Sequence, residues 1–502
     1  MDIYIAIYGV LSDPLSWLLI IFGLGGGILF GALPGISAAM GVVLMLPFTY
    51  KLDVIHALIL MVSTYCGGVF GGSIMAIMFN IPGTPEATPT TFDGYQMTLK
   101  GEAGKALGVA ITCSALGGAF SVVMLALISP LLVKVALSFG PVDYAAVAFL
   151  GLSAIAGLGH GPREQLKNLL AVTMGLLLAT VGLDAITGIP RFTFGSPAFL
   201  SGIKFIPIMI GAFAGGEVLR QIEERRIQKE KKQLFFVKGV TAKLPSLREL
   251  FSIKWSIIKS AFIGLGIGIL PGAGATIASF VSYGVAKRSS KQSDKFGTGV
   301  MEGVAAPETA NNASTGGAMI PLLTLGIPGS GTTAVILGVF LIYGIQPGPL
   351  LFSTNPKLVY SIIVGMFVAN ILMIFLGRIG AKAFVQFLRL PYYVIGTTIL
   401  LLSAIGSYGL NNDIDDVWIC LAFMGIGYFM KKYKFSIAAL VLGLVLGKLI
   451  ENNLRRGLII THFSWQKAMF HPLTLSLIFI TIIILIWPYI KAYGVRFKRG
   501  AK

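Results

Sequence analysis

The sequence predicts an all-α polytopic membrane protein, and two observations support this fold class: the composition and the pattern of apolar runs. Hydrophobic residues make up 55% of the 502 positions and charged residues only 12%, whereas a soluble globular chain is about one quarter charged. The mean hydropathy is +0.84. Long apolar runs separated by short charged segments predict roughly a dozen transmembrane helices.

The first apolar run must fold back on itself. It extends from Pro14 to Tyr50 as 37 residues without a charge, and one straight helix of that length would be about 55 Å long. The hydrocarbon core of a bilayer is roughly 30 Å thick. We therefore predict a helix hairpin broken at Leu33-Pro34-Gly35, and a second one broken at Leu270-Pro271-Gly272.

Short internal matches predict two repeats. Adding 237 carries the motif at 33–35 onto 270–272, and adding 246 carries Ile81-Pro82-Gly83 onto Ile327-Pro328-Gly329. The two matches occur in the same order at nearly the same offset, which favours common ancestry over coincidence. The predicted units are an N-terminal repeat at 1–220, a basic connector at 221–254, a C-terminal repeat at 255–490 and a basic tail at 491–502.

The distribution of charge predicts the topology. No Lys or Arg precedes Lys51, whereas residues 220–259 contain eleven Lys or Arg against four Glu. The positive-inside rule places the N-terminus outside, and the connector and the tail in the cytoplasm. Counting the predicted membrane crossings from the N-terminus places Lys100 inside and Asp413 outside. Because the first repeat starts outside and the second inside, the repeats are predicted to be inverted, as in many secondary carriers.

Two helix-breaking segments lie inside long apolar runs, at 80–85 (Asn-Ile-Pro-Gly-Thr-Pro) and 326–331 (Gly-Ile-Pro-Gly-Ser-Gly). Proline removes a backbone donor and glycine loosens the chain. A bilayer tolerates such breaks only where protein or a polar cavity covers the freed backbone groups. Corresponding breaks in two halves are the best sequence indication of a transporter's binding site.

A helix that restarts after such a break presents free N–H groups and a partial positive charge, which suits a carboxylate. We therefore predict that a carboxylate substrate is held between opposed helix starts near the midplane. No Lys or Arg falls within the two segments, so backbone N–H groups and coupling cations would balance its charge. The predicted substrate-binding residues are Asn80, Pro82, Gly83, Thr84, Thr88, Asn312, Pro328, Gly329, Ser330 and Thr332.

Residues 302–333 are rich in Asn, Ser and Thr, and polar side chains at membrane depth are costly without partners. Their oxygens and the carbonyls of broken helices suit Na⁺. The predicted cation-binding residues are Gly35, Ser37, Gly272, Glu308, Asn311 and Ser314. The Leu-Pro-Gly motifs could equally be plain turns, and small residues often only allow close helix packing. Glu86, Asp93, Glu302 and Glu308 are candidate proton or ion sites. Solvation at a loop edge or helix capping explains Glu86, Asp93 and Glu302 equally well.

Other function classes fit the sequence poorly. The excess of 18 positive charges is spread over short clusters between apolar runs, which does not indicate nucleic acid. The histidines do not cluster and the cysteines lack pair spacing, so no metal site or cofactor is expected beyond a coupling ion. A P-loop is absent. We expect no enzymatic activity. A channel is the nearest rival, since gates also use broken helices and small polar residues.

Long motifs resemble the large membrane subunit of tripartite tricarboxylate transporters, the TctA-type family. They are Gly-Gly-Ser-Ile-Met-Ala-Ile-Met-Phe-Asn-Ile-Pro-Gly-Thr-Pro at 71–85 and Gly-Val-Ala-Ala-Pro-Glu-Thr-Ala-Asn-Asn-Ala at 303–313, with Gly-Gly-Ala-Met-Ile-Pro-Leu-Leu-Thr-Leu-Gly-Ile-Pro-Gly at 316–329. The likeness extends over nearly the whole chain. The resemblance points to residues 80, 82–84, 308, 311, 312 and 328–330 as the family's site.

The resemblance implies a multi-pass protein of the bacterial inner membrane that is surrounded by lipid and takes up small di- or tricarboxylates such as citrate. It also implies a periplasmic solute-binding protein and a small four-helix membrane subunit as partners, and a cation gradient, usually Na⁺, as the driving force. The alternative is an anion channel independent of a binding protein, or a carrier for another small organic anion.

Overall fold

The fold of the chain was analysed in a computed structural model. The structure describes residues 2–33, 35–157, 162–184, 186–227, 241–270, 274–387, 392–409 and 412–500. The described chain is helical almost throughout, with one antiparallel pair of two-residue strands at Gly182–Leu183 and Pro190–Arg191. Among the described residues, six helices are long and apolar enough to cross a membrane. The helical membrane class predicted from the sequence is therefore confirmed.

The helices of the first half precede the basic connector. They are α1 (Asp2–Ser12), α2 (Pro14–Ala32), α3 (Ala38–Met45), α4 (Val54–Phe79), α5 (Thr88–Leu99), α6 (Ala103–Ala136), α7 (Pro141–Gly157), α8 (Pro162–Ala179), α9 (Phe205–Met209) and α10 (Gly216–Ile227). A π-helical segment, Ile210–Gly215, joins α9 to α10.

The helices of the second half begin after that connector. They are α11 (Leu247–Ser252), α12 (Lys254–Ile269), α13 (Gly274–Ser289), α14 (Met301–Leu325), α15 (Gly331–Ile342), α16 (Leu351–Thr354), α17 (Pro356–Phe387), α18 (Tyr392–Gly409), α19 (Ile414–Lys432), α20 (Ile437–Ile460), α21 (Trp465–Met469) and α22 (Pro472–Gly500).

The helices α4 and α14 end at the predicted breaks. Asn80 caps α4 with φ 54° and Gly326 caps α14 with φ 73°, both in the left-handed region that ends a helix. A proline follows two residues later in each case and cannot continue the helix. The chain becomes helical again at Pro85 and at Gly331.

Glycine contacts are repeated at equivalent positions of the two halves. A Cβ on Gly27 would lie 2.3 Å from the Thr64 carbonyl oxygen, and one on Gly264 would lie 2.3 Å from the Ala310 oxygen. The offsets of 237 and 246 carry the first pair onto the second. Three further contacts of the first half have equivalents in the second half at the same offsets. The contact of Gly31 with Gly68 corresponds to that of Gly268 with Ser314, that of Gly71 with Ile28 to that of Gly317 with Leu265, and that of Gly83 with Gly72 to that of Gly329 with Ala318.

These equivalent contacts mean that α2 packs on α4 as α12 packs on α14. They support an internal repeat, while the inverted orientation of the halves stays a prediction. The two Pro-Gly hairpins also stay predictions, because Pro34 and residues 271–273, including Gly272, lie outside the described residues. The four predicted domain boundaries likewise remain untested.

The helices form two packed groups. The core bundle comprises α2–α6, α12–α15 and α17, and the flanking bundle comprises α7–α10, α18–α20 and α22. Several described elements join the two bundles: α3 contacts the π-helical segment and α18, the short helix Leu46–Thr49 contacts α18, and α15 contacts α9 and α20. The interface between the bundles holds the cavity described below.

Ion pairs join residues that the charge-based topology assigns to the same end of the bundles, and the topology itself stays a prediction. At the predicted outer end they join Arg191 to Glu451, Arg455 to Asp184 and Lys204 to Asp416. At the cytoplasmic end they join Lys105 to Glu249, Lys431 to Glu217 and Lys432 to Glu223. The backbone N–H groups of Thr187 and Ile186, together with Arg455, hold the pKa of Asp184 well below its usual range.

Asp93 fastens α5 to the loop that precedes α14. Its Oδ1 accepts the backbone N–H groups of Gly297, Gly299 and Val300 at 2.8–2.9 Å, and its Oδ2 accepts the Tyr283 hydroxyl at 2.9 Å. The carboxylate is fully buried. Asp93 thus joins α5 of the first half to the loop before α14 of the second half, in a buried position rather than at a solvated loop edge.

We expect Asp93→Asn to destabilise the protein by about 2–3 kcal/mol, because a hydrogen bond to a charged group is worth about 1.5–3 kcal/mol and the amide keeps one acceptor oxygen. Tyr283→Phe removes one of the four bonds to this carboxylate and should cost about 1.5 kcal/mol. Thermal unfolding of the detergent-solubilised protein measures both. Equal melting temperatures for Asp93→Asn and the wild type would contradict this role.

Candidate functional site

A cavity of about 390 Å³ lies at the interface between the two bundles. The core bundle contributes the starts of α3, α13 and α15, part of α4 and the turn at Pro85–Glu86. The flanking bundle contributes α7, α8, the π-helical segment and the start of α20. The lining residues are Ser37, Ala38, Ala39, Tyr65, Val69, Pro85, Glu86, Ile155, Asn168, Phe213, Gly274–Ile277, Ser330–Thr332, Ser436, Ala438 and Leu442.

Four helices begin at this cavity, and serines cap three of them. Ser37 Oγ accepts the N–H of Met40 at 3.3 Å, Ser330 Oγ accepts that of Thr333 at 3.2 Å, and Ser436 Oγ accepts that of Ala439 at 3.1 Å. The fourth helix, α13, begins at Gly274. Each serine satisfies one of the free N–H groups at a helix start, and the others remain for a ligand.

Helix starts, rather than basic side chains, are the groups that favour an anion in this cavity. Its lining, as the structure describes it, contains no Lys or Arg. Each helix start carries roughly half a positive charge from the aligned peptide dipoles. Several helix starts around one small cavity form a favourable site for an anion, because N–H donors and dipoles both point at it. The described lining contains one acidic side chain, Glu86.

The offsets of the internal repeat relate opposite walls of the cavity. Ser37-Ala38 corresponds to Gly274-Ala275, and Pro85-Glu86 corresponds to Gly331-Thr332. Both repeats therefore supply the same two elements, a helix that follows the Leu-Pro-Gly motif and a segment that follows the Ile-Pro-Gly motif. The flanking bundle completes the cavity with Ser436 and Asn168.

Glu308 lies in a second polar site within the core bundle. The side chain is completely buried. Its Oε1 accepts the hydroxyls of Ser73 at 2.6 Å and Thr90 at 2.5 Å, and its Oε2 accepts the Ser114 hydroxyl at 2.9 Å. The donors belong to α4, α5 and α6, so one carboxylate of α14 holds three helices of the other half.

The hydroxyl cluster around Glu308 lacks a permanent positive charge. No ion pair to Glu308 is present in the part of the chain that the structure describes, and the three donors are neutral. A buried carboxylate without a cationic partner is costly unless a proton or a cation neutralises it. Asn311 lies one helical turn away, and its buried amide interacts with the Glu308 carboxylate. An amide oxygen beside a carboxylate is a suitable ligand for a hard cation.

The structure brings some predicted substrate residues to the cavity and places others between helices. Ser330 and Thr332 line the cavity, and Thr84 directly precedes its wall at Pro85. The Gly83 N–H donates to the Gly72 carbonyl at 3.2 Å. The remaining predicted residues lie outside the lining: Asn80, Pro82, Thr88, Asn312, Pro328 and Gly329. Their binding roles stay predictions.

The predicted cation residues have three different surroundings. Glu308 and Asn311 form the buried polar cluster, and the Ser314 hydroxyl donates to the Asn311 carbonyl at 2.7 Å. Ser37 lines the cavity. Gly35 has φ 85° and lies against Gln221 and Glu217 of α10. Within the described residues, no group of three or more His, Cys, Asp or Glu is arranged to hold a metal ion.

Several lining residues were not predicted as binding residues. Tyr65 is on α4, Asn168 is on α8, Phe213 is in the π-helical segment and Ser436 caps α20. Ser436 carries a weak sequence signal, as a serine just before an apolar run that follows a basic turn. Tyr65, Asn168 and Phe213 carry none, because their role depends on how the flanking bundle meets the core.

Comparison with known proteins agrees with the resemblance seen in the motifs. The model of the "Tripartite tricarboxylate transporter TctA family" matches residues 17–442. An uncharacterized 52.8 kDa protein in the TAR-I ttuC' 3' region of Agrobacterium vitis is 37% identical over 469 residues, which cover 93% of this chain and 92% of that protein. An uncharacterized protein in the TAR-II ttuC' 3' region of the same organism is 38% identical over 229 residues, 45% of this chain and 95% of that protein.

No solved structure matches the chain. The family match spans most of the sequence and coincides with the helix breaks and the repeated glycine contacts. The chain belongs to the tripartite tricarboxylate transporter TctA family.

Proposed function

We propose that the protein carries out secondary active uptake of small di- or tricarboxylates, coupled to a cation gradient, with Na⁺ as the coupling ion. Membership of the family and six membrane-length helices make it a multi-pass membrane transporter of the inner membrane. The family works with a small membrane subunit and a periplasmic binding protein, and we assign a four-helix subunit and a solute-binding protein to this chain as partners.

The observation that supports this proposal most directly is the cavity at which four helices begin without a basic side chain in the described lining. A carboxylate bound there would accept hydrogen bonds from backbone N–H groups and from the hydroxyls of Ser330 and Thr332. The absence of Lys and Arg from the lining limits how much negative charge the protein neutralises by itself. A di- or tricarboxylate would therefore need accompanying cations, which couples its transport to theirs.

Glu308 is the residue that we assign to the coupling cation. Its buried carboxylate needs a neutralising charge, and the amide of Asn311 beside it offers a further oxygen ligand. Glu86 lines the cavity, and the short helix that contains it, Pro85–Ala87, packs against α14, the helix that carries Glu308. A cation bound at Glu308 would remove the repulsion between that carboxylate and a substrate anion in the cavity. Cation binding would thus favour substrate binding.

The arrangement of the bundles supports transport through their interface. A second cavity of about 380 Å³ lies further along α20, lined by Lys448 and Asn452 and by Leu337 of α15. The cavities thus share walls formed by α15 of the core bundle and α20 of the flanking bundle. We propose that the core bundle, which contains both broken helices, moves against the flanking bundle and carries the anion between the two ends of this interface.

Uptake into proteoliposomes that contain this chain and its small partner tests the proposal. Radiolabelled citrate and a dicarboxylate would be supplied with the matching binding protein, with and without an inward Na⁺ gradient. We expect accumulation above equilibrium that requires Na⁺ and the binding protein. Uptake that only equilibrates and ignores both would support the anion channel instead, and a substrate carboxylate held mainly by Arg163 or Arg191 would contradict the assigned site.

We expect Ser330→Ala and Thr332→Val to raise the substrate concentration for half-maximal uptake by about tenfold each, since a lost hydrogen bond to a charged group is worth about 1.5 kcal/mol or more. The maximal rate should change little for Thr332→Val. Ser353→Ala, an exposed hydroxyl on α16, is the control variant. Unchanged substrate dependence in both cavity variants would remove this cavity from the proposal.

A further inference from the structure

A basic groove lies at the predicted cytoplasmic end, separate from the transport cavity. It has a volume of about 680 Å³ and lies between the junction of α11 with α12 and the loop that joins α13 to α14. Five lysines and one acid, Glu302, line it. The lysines are Lys100, Lys254, Lys259, Lys291 and Lys295.

The five lysines are not committed to acidic partners. None of them forms an ion pair with a described residue, whereas Lys105, Lys431 and Lys432 at the same end all do. Ser252, Ser256, Ser289 and Ser290 add hydroxyls to the lining. The positive-inside rule explains why lysines lie at this end, but it does not explain why five unpaired ones converge on one concave surface.

Two helix starts add backbone donors to the groove. α12 begins at Lys254 and α14 begins at Met301, and neither has a side-chain cap on its first N–H groups. The residues at both starts line the groove. Lysine side chains, serine hydroxyls and helix N-termini are together the set of donors that proteins use to bind phosphate.

A row of exposed apolar side chains borders the groove. Leu247, Phe251 and Trp255 follow at intervals of four residues, and their exposed fractions are 84%, 70% and 64%. Lys254 lies over the rings of Phe251 and Trp255, at 4.2 and 5.8 Å from their centroids. Aromatic and aliphatic side chains in such a row beside lysines are typical of a helix that rests at the membrane interface.

The row spans α11, with Leu247 and Phe251, and the start of α12, with Trp255, and α11 is held in place. Ser246 and Glu249 form a reciprocal cap at the start of α11, and Glu249 pairs with Lys105 of α6 at 2.9 Å. The Lys105 ammonium and the Ser246 N–H hold the pKa of Glu249 at about 2. The apolar row is thus a fixed surface rather than a loose segment.

We propose that this groove binds the phosphate headgroup of an anionic phospholipid from the cytoplasmic leaflet. The lysines and the two helix starts hold the phosphate, and the glycerol and acyl chains lie against Phe251 and Trp255. A soluble phosphate compound would use the same donors but would have no reason to meet the apolar row. Lys100 belongs to the first half and the other lysines to the second, so the lipid joins the cytoplasmic ends of both halves of the core bundle.

Binding is tested on the purified full-length chain in detergent, without any transport assay. Phosphatidylglycerol is titrated while the melting temperature and the lipid retained in native mass spectrometry are recorded. Phosphatidylcholine and inorganic phosphate are titrated in parallel. We expect phosphatidylglycerol alone to raise the melting temperature by several degrees and to remain bound.

The test variant is Lys254→Gln/Lys259→Gln/Lys291→Gln, and its matched control is Lys134→Gln/Lys357→Gln/Lys434→Gln, three exposed lysines elsewhere. Each lysine near an anionic lipid contributes about fivefold, so the test variant should bind phosphatidylglycerol about a hundredfold more weakly. Trp255→Ala should also weaken lipid binding. Equal stabilisation of both triple variants by phosphatidylglycerol overturns the proposal, and so does stabilisation of the wild type by inorganic phosphate to the same extent.

Discussion

Glu308→Gln is expected to reduce Na⁺-driven accumulation to background while leaving the protein folded. The neutral amide keeps the size of the side chain, and its oxygen still accepts hydroxyls, so the contacts with Ser73, Thr90 and Ser114 adjust without creating a cavity. The negative charge that holds the cation is lost, however. Without a bound cation, movement of the substrate anion is no longer coupled to the Na⁺ gradient, so accumulation above equilibrium is lost.

The measurement compares substrate accumulation at increasing Na⁺ in proteoliposomes with the melting temperature of the same preparations. Glu102→Gln, an exposed acid at the start of α6, is the control and should behave as the wild type. Ser114→Ala removes one of three hydroxyl donors and should shift the Na⁺ dependence by about tenfold, since a hydrogen bond to a charged group is worth about 1.5 kcal/mol or more. Glu308→Asp keeps the charge on a shorter side chain, so it should retain some Na⁺-dependent accumulation.

Accumulation by Glu308→Gln with the Na⁺ dependence of the wild type would show that the hydroxyl cluster is structural. The carboxylate cavity would survive that result, because it depends on different residues. If H⁺ rather than Na⁺ were the coupling ion, the variant would still lose accumulation, but the wild type would respond to a pH gradient instead. The response of the wild type to Na⁺ and pH gradients therefore identifies the coupling ion. The loss of accumulation in Glu308→Gln shows whether Glu308 takes part in the coupling.

The sequence predicted the local parts of this site and could not predict the distant ones. Proline and glycine near 80–85 and 326–331 act on their own stretch of chain, and helices end at Phe79 and Leu325 as expected. The sequence predicted Glu308 and Asn311 as cation-binding residues because polar side chains at membrane depth are costly without partners. The donors to Glu308 lie 194 to 235 residues away along the chain. Only the tertiary packing shows that Ser73, Thr90 and Ser114 face this carboxylate.

The same distinction applies to the carboxylate cavity. Ser330 and Thr332 follow a break that the sequence reveals, whereas Asn168 and Ser436 come from the flanking bundle, which carries no comparable signal. The motif offsets predicted an internal repeat because they include glycines at which two helices come into close contact. Which carbonyl each glycine touches became apparent only from the fold, and the contacts make the repeat testable by mutation.

Gly27→Ala and Gly264→Ala are expected to destabilise the protein, each by about 1–3 kcal/mol, because an added methyl overpacks a close helix contact. In both cases the new Cβ would lie 2.3 Å from a backbone oxygen of the neighbouring helix. A carbonyl oxygen inside a helix cannot turn away, so α2 and α4, or α12 and α14, must separate. The equivalent positions in the two repeats should respond alike.

Gly25→Ala and Gly266→Ala are the matched controls on the same two helices, since nothing lies within 4 Å of the Cβ that either change adds. Alanine is better than glycine within a helix by about 0.5–1 kcal/mol, so both controls should be as stable as the wild type or slightly more stable. Thermal unfolding of all four variants in detergent makes the comparison. Were Gly27→Ala to match Gly25→Ala, the contact between α2 and α4 would be looser than described. Were only one of Gly27→Ala and Gly264→Ala to destabilise the protein, the two halves would not be packed equivalently, and the structural support for an internal repeat would fail.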